Sequence, residues 1–121
     1  MHRRTVLGAL AATLAAPARA HHSVILYDME AMITLEGFVS KELDGFPHWE
    51  VEMRVEGQDW QVDLQDGFAM REAGMDPDGA VFTLGRKLTV EGHPARDRDY
   101  RRVLPKRLTI DGRTYEFALR G

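Results

Sequence analysis

The chain has 121 residues, no cysteine, 16 Lys+Arg against 19 Asp+Glu, and five histidines. Without cysteine there can be no disulfide, iron–sulfur cluster, thiolate zinc site or cysteine nucleophile. Three of the arginines and none of the acids precede residue 21, so residues 21–121 carry 13 basic and 19 acidic groups, a formal charge of −6, which argues against sequence-independent nucleic-acid binding and against adsorption to anionic lipid.

The first segment reads in three parts. Met1-His2-Arg3-Arg4 is basic, Val6 to Ala16 is apolar apart from Thr13, and Ala18-Arg19-Ala20 places small residues at the two positions that signal peptidase inspects. The apolar run is too short to span a bilayer. The prediction is a signal peptide over residues 1–20 and a periplasmic or secreted product that starts at His21 and has no membrane span. Arg3-Arg4 followed by Thr5-Val6-Leu7 also resembles a twin-arginine signal, so both export routes stay open. The remaining 101 residues suit one domain, 21–121.

Residues 21–32 form a lead-in of undetermined structure. Ile33 to Leu43 reads as a long strand, and Gly37 in its middle marks a bulge or a sharp bend, as at a barrel corner. Asp44-Gly45-Phe46-Pro47 is turn chemistry. From Trp49 to Val55, apolar Trp49, Val51, Met53 and Val55 alternate with Glu50, Glu52 and Arg54, the pattern of a strand with one buried face. Glu56-Gly57-Gln58-Asp59 closes a hairpin, and Trp60, Val62 and Leu64 form the inner face of its partner strand.

Asp66 or Gly67 then caps a short helix over Phe68 to Ala73, with Gly74 as its stop, and Asp76-Pro77-Asp78-Gly79 turns the chain. Lys87 to Glu91 begins a fourth strand, with Leu88 and Val90 inward. Arg96 to Arg102 reads as a charged loop. Val103 to Ile110 is a fifth strand in which Pro105 indicates an edge or a bulge. Asp111-Gly112 is a hairpin signal, and Thr114 to Leu119 returns as a last strand. The order predicts a mainly β domain: a small OB-like barrel with one short helix after strand three. A β-sandwich would show more strands and no central helix.

No nucleophile elbow, zincin motif, phosphate loop or dinucleotide fingerprint occurs. Ser23 and Ser40 are the only serines and sit in no nucleophile context, so no catalytic residue is assigned and a binding protein is favoured over an enzyme. The histidines are the candidate metal ligands: His21, His22, His48 and His93. Cleavage after Ala20 makes His21 the first residue, and its α-amine and ring Nδ1 can chelate one metal ion, with a distant histidine completing a nitrogen-rich site. Such donors favour Cu(II) among the first-row divalent ions, and an α-amine titrating near ~7.7–8.0 can be freed at neutral pH. His48 precedes the second strand and His93 ends the fourth, so both can reach one rim of a barrel. Asp28 or Glu30 could supply a carboxylate or an outer acceptor. A competing site is an aromatic face of Trp49, Trp60, Phe68 and Tyr100, although Trp49 and Trp60 head alternating series and read as core.

His21-His22-Ser23, Leu35-Glu36-Gly37, Pro47-His48 and Val90-Glu91-Gly92-His93-Pro94-Ala95 together resemble a family of short exported bacterial proteins of unknown function. The likeness covers nearly all of residues 21–115. Phe46 replaces an asparagine usual in the third motif, and Arg96-Asp97-Arg98-Asp99 replaces a glycine-rich loop. The resemblance implies the fold and export, and it places all four candidate ligands within shared motifs.

The reading that results is a periplasmic copper-binding domain. His21 acts as a bidentate ligand, His48 is its partner, and His93 or His22 completes the site. The alternative is a metal-free barrel that binds a ligand or another envelope protein through its aromatic face.

Overall fold

The computed structural model describes residues 22–45 and 49–119. The predicted signal segment, His21 and His48 lie outside the described residues. A short helix, α1 (His22–Leu26), precedes the strands β1 (Ile33–Asp44), β2 (Glu50–Val55) and β3 (Gln58–Asp63). A second helix, α2 (Gly67–Glu72), is followed by β4 (Lys87–Pro94), β5 (Arg102–Ile110) and β6 (Arg113–Glu116). The strand order is β3-β2-β1-β4-β5-β6, and a parallel pairing of β3 with β5 closes the first five strands into a barrel. This is the expected OB-like barrel with a helix after strand three.

Local chemistry explains the path. Glu56-Gly57 and Asp111-Gly112 have positive φ at both positions, 50° and 80°, then 53° and 77°. These are type I′ turns, whose twist matches that of the flanking strands. Each hairpin therefore closes on two residues, and Gln58 already belongs to β3. Asp66 caps α2, accepting from the Ala69 amide at 2.8 Å, and Gly74 ends the turn at a φ of 89°.

Gly37 and Gly92 are required for a different reason. A Cβ on Gly37 would sit 2.0 Å from the Arg54 carbonyl oxygen, and one on Gly92 would sit 2.3 Å from that of Leu104. At both points a neighbouring backbone passes too close for a side chain. Gly37 itself keeps its ladder pairing with Leu88. The bulges of β1 come later, between Val39 and Asp44, so the glycine marks the corner and not the bulge.

The bulge expected near Pro105 is real. Gly92 pairs with Pro105 and Glu91 with Arg107, leaving Lys106 as the extra residue. The inward positions of β5 change parity there: Val103 precedes the bulge, and Leu108 and Ile110 follow it, all three in the interior cluster. The bend also divides one edge of β5. Its first residues pair with β3, and its last residues pair with β6.

The interior is filled by Leu35, Val39, Val51, Met53, Val62, Leu88 and Val90 from the strands, Leu64 just after β3, and Ala69 and Met70 from α2. Trp49 and Trp60 are half-buried and pack against this cluster, as the alternation predicted. Among the described residues no helix is long and apolar enough to cross a membrane.

Candidate functional site

His93 is the one predicted ligand whose side chain is described. It lies within β4, opposite Leu104, and is only 7 % exposed. His93 stands at the end of strand four, as expected: β4 runs through Pro94, because β5 pairs with it along that whole stretch. The ring Nδ1–H donates to the Ala31 carbonyl at 2.7 Å. A carbonyl can only accept, so the proton of the neutral ring sits on Nδ1, and Nε2 is the nitrogen with a lone pair in that tautomer. A backbone carbonyl holding one ring nitrogen while the other stays a donor to metal is the usual support of a histidine ligand.

His22 is the first residue of α1, and His21 and His48 lie outside the described residues. Among the described residues no three His, Asp or Glu side chains form a group able to hold a metal ion. Asp28 and Glu30 do not provide the outer acceptor for His93, since Ala31 does. The Asp28 carboxylate is instead taken by Arg98 at 2.9 Å and by the Glu30 amide at 3.1 Å. That backbone bond, and then Arg98, hold its pKa below the usual carboxylate range.

The lead-in, residues 22–32, is fastened to the outside of the barrel as a strap. Tyr27 bridges Ala95 in antiparallel fashion. The Asp28 amide donates to the Pro94 carbonyl, and the Arg96 amide to the Leu26 carbonyl, both at 2.9 Å. Tyr27 is fully buried, as are Leu104 and Ala95 to within 5 %. None of the three belongs to the barrel's interior cluster, so their burial comes from the strap lying on the outer face.

At the end of the Tyr27 ring sits a polar cluster that no sequence motif announces. The Tyr27 hydroxyl donates to Asp63 Oδ2 at 2.9 Å and accepts from Arg102 Nε at 3.4 Å. Arg102 also donates to Gln61 Oε1 at 3.0 Å and to Glu50 Oε2 at 2.9 Å. The other oxygen of Asp63 accepts from the Gln65 amide at 2.9 Å, and Gln65 is held at a φ of 73°. A left-handed non-glycine costs about 1 kcal/mol or more and persists where its surroundings enforce it. Burial first, and then the Asp63 carboxylate, push the Tyr27 hydroxyl above its ordinary pKa. The tyrosine therefore stays neutral and remains a donor to Asp63 at any physiological pH.

A cleft of about 290 Å³ opens beside the strap, lined by Ile25, Leu26, Ala95, Arg96, Tyr100 and Arg102, with Asp97 at its side. Ile25 and Tyr100 are more than half exposed there. Of the proposed aromatic face, Tyr100 alone lines this cleft. Phe68 is exposed on α2, and the two tryptophans pack on the core, so the four aromatics do not act as one platform. Arg102, read as part of a charged loop, is instead the half-buried first residue of β5. The signal that could have singled it out is its place at a strand start opposite outward Gln61, which needs a donor. Tyr27 gave no periodic signal, because one aromatic in a short lead-in has no partner in sequence.

No curated protein matches the chain. A family model matches residues 9–103, most of the chain, with His93 and the Tyr27, Asp63 and Arg102 cluster inside it, and the protein accordingly belongs to DUF6152, a family of unknown function.

Proposed function

We propose that this protein is an exported copper-binding domain whose Cu(II) is chelated by the α-amine and ring of an N-terminal His21. His48 is the second protein ligand, with His93 or His22 completing the site. One observation carries the reading: Tyr27 ties the segment that follows His22 to the end of β4 that carries His93. It lies five residues after His22 in a fastened strap. It bridges Ala95, two residues from His93. It also bonds Asp63, which pairs with Glu50, two residues from His48. The tautomer of His93 fits the role of an Nε2 ligand. An acidic protein with no thiols offers nitrogen donors alone or with carboxylates, and the affinity order then favours Cu(II).

The test is a Cu(II) titration of the exported protein followed by electron paramagnetic resonance. The reading expects one bound ion with nitrogen hyperfine structure, weakened by His48→Ala, and a loss of metal on acidification as protons compete for each nitrogen. The cleft beside Tyr100 favours the second reading, a metal-free module that takes an apolar group of a ligand or envelope partner. Failure of every form to bind copper makes that reading the better account.

A further inference from the structure

We infer that the cleft between the strap and residues 96–102 is a binding site for a small aromatic carboxylate, with the ring against Ile25, Leu26 and Tyr100 and the carboxylate on the guanidinium of Arg96. This deepens the second reading above by naming the chemical class of ligand, and it is independent of copper.

The cleft is formed before any ligand arrives. Its two walls are tied together by the Tyr27–Ala95 bridge, by the Arg96 amide on the Leu26 carbonyl at 2.9 Å and by Arg96 Nε on the Ile25 carbonyl at 2.8 Å. The loop also holds its own shape. Asp97 Oδ1 accepts from the Asp99 amide, and Arg98 Nε donates to the Ala95 carbonyl, both at 3.0 Å. A preformed site loses little affinity to ordering. The volume of about 290 Å³ corresponds to about ten water volumes, room for one ring and a short polar group. Ile25, Leu26 and Ala95 give an apolar lining, and Tyr100 adds an aromatic wall on which a second ring can pack offset or edge-on. Charge selects the polar end. Residues 96–102 hold four arginines and two aspartates, a net positive stretch on an acidic domain. Of the two arginines that line the cleft, Arg102 is already neutralised by Glu50 at 2.9 Å, and each of its nitrogens is bonded. Arg96 differs: Nε holds the strap, and among the described residues its two terminal nitrogens make no hydrogen bond or ion pair. Those nitrogens form the planar fork that a carboxylate takes bidentately. A ligand cation would meet both arginines with only Asp97 to receive it.

Three probes that share a phenyl ring and differ in charge test this: phenylacetate, phenylacetamide and 2-phenylethylamine. Each is titrated into the purified, metal-free protein and followed by amide chemical shifts in nuclear magnetic resonance. Phenylacetate should bind saturably at about millimolar concentration or below, shifting the amides of Ala95, Arg96 and Tyr100 and leaving those of β2 in place. The neutral amide and the cationic amine should bind about tenfold more weakly or worse, since each lacks the charge-assisted pair. Arg96→Gln should weaken phenylacetate about tenfold and leave phenylacetamide unchanged. A strap merely loosened by the substitution would weaken both probes alike, and that result overturns the role of Arg96. The comparison of probes on the unsubstituted protein holds whether or not the variant folds. Equal affinity for phenylacetate and phenylacetamide overturns the inference and leaves an apolar cleft, so the second reading stands. Tighter binding of the amine overturns it too, by making Asp97 the polar end. No shift at the cleft with any probe overturns both the inference and the second reading.

Discussion

Adding a single methyl group at Gly37 should cost this domain a large part of its stability. The Cβ of Gly37→Ala would lie 2.0 Å from the Arg54 carbonyl oxygen and 2.9 Å from the Arg54 carbonyl carbon. Both are backbone atoms of β2, so no side chain can rotate away. The strand would have to move by more than about 1 Å to restore ordinary contact distances. It is held on both edges, with Arg54 paired to Phe38 on one side and to Asp59 on the other. Overpacking costs about 1–3 kcal/mol where side chains can give, and each disturbed ladder bond adds about 1 kcal/mol. Lower entropy in the unfolded alanine chain returns about 0.4–1 kcal/mol. The net expectation is about 3 kcal/mol, which for a domain of this size lowers the melting temperature by on the order of 12–24 °C. Thermal and urea denaturation followed by circular dichroism measure it. Gly57→Ala is the control: its φ is 80° but nothing lies within 4 Å, so the loss should be the left-handed strain alone, about 1–2 kcal/mol. A Gly37→Ala domain as stable as the control would refute the close approach as the reason for that glycine.

Mass spectrometry of the exported protein should give a chain starting at His21, as the Ala18-Arg19-Ala20 site requires, and a start at Met1 or beyond His22 would remove the basis of the N-terminal chelate. Alkaline pH should weaken the strap. The Tyr27 hydroxyl holds its proton more tightly in the folded protein than in the unfolded chain, so its contribution is fully present below the unfolded pKa near ~10 and is lost as the pH rises above it. Denaturant midpoints measured from pH 8 upward should fall above that point, and Tyr27→Phe should flatten part of the fall; parallel curves would contradict the assignment.

Most of the barrel was legible in the sequence because its strands bury one face. Alternation from Trp49 to Val55 and from Trp60 to Leu64 reports that burial directly, and Pro105 reported its bulge because proline cannot serve every ladder position. What covers the end of β4 was not legible. His93-Pro94-Ala95 carries no alternation, since the strap covers the outer face and the barrel the inner one, and both faces are buried. The strap had the same difficulty from the other side. Its hold on the barrel comes from Tyr27, Asp63 and Arg102, residues separated by up to 75 positions, and no local pattern records such contacts. Asp28 was legible as a chemically useful carboxylate, but its partner Arg98 sits in a loop whose charges read as solvated surface.

The most direct test of the copper reading compares two forms of one protein: a chain that begins at His21, and the same chain extended at its N-terminus by one methionine. The extension leaves every described contact of the barrel and strap in place and moves only the α-amine away from the His21 ring. Competition titration with a chelator of known Cu(II) affinity reads the difference. The account predicts one tightly held ion in the processed form and a loss of at least about tenfold in affinity, or about 1.4 kcal/mol, in the extended form, with an altered paramagnetic resonance spectrum. Equal affinity and identical spectra in the two forms would contradict it.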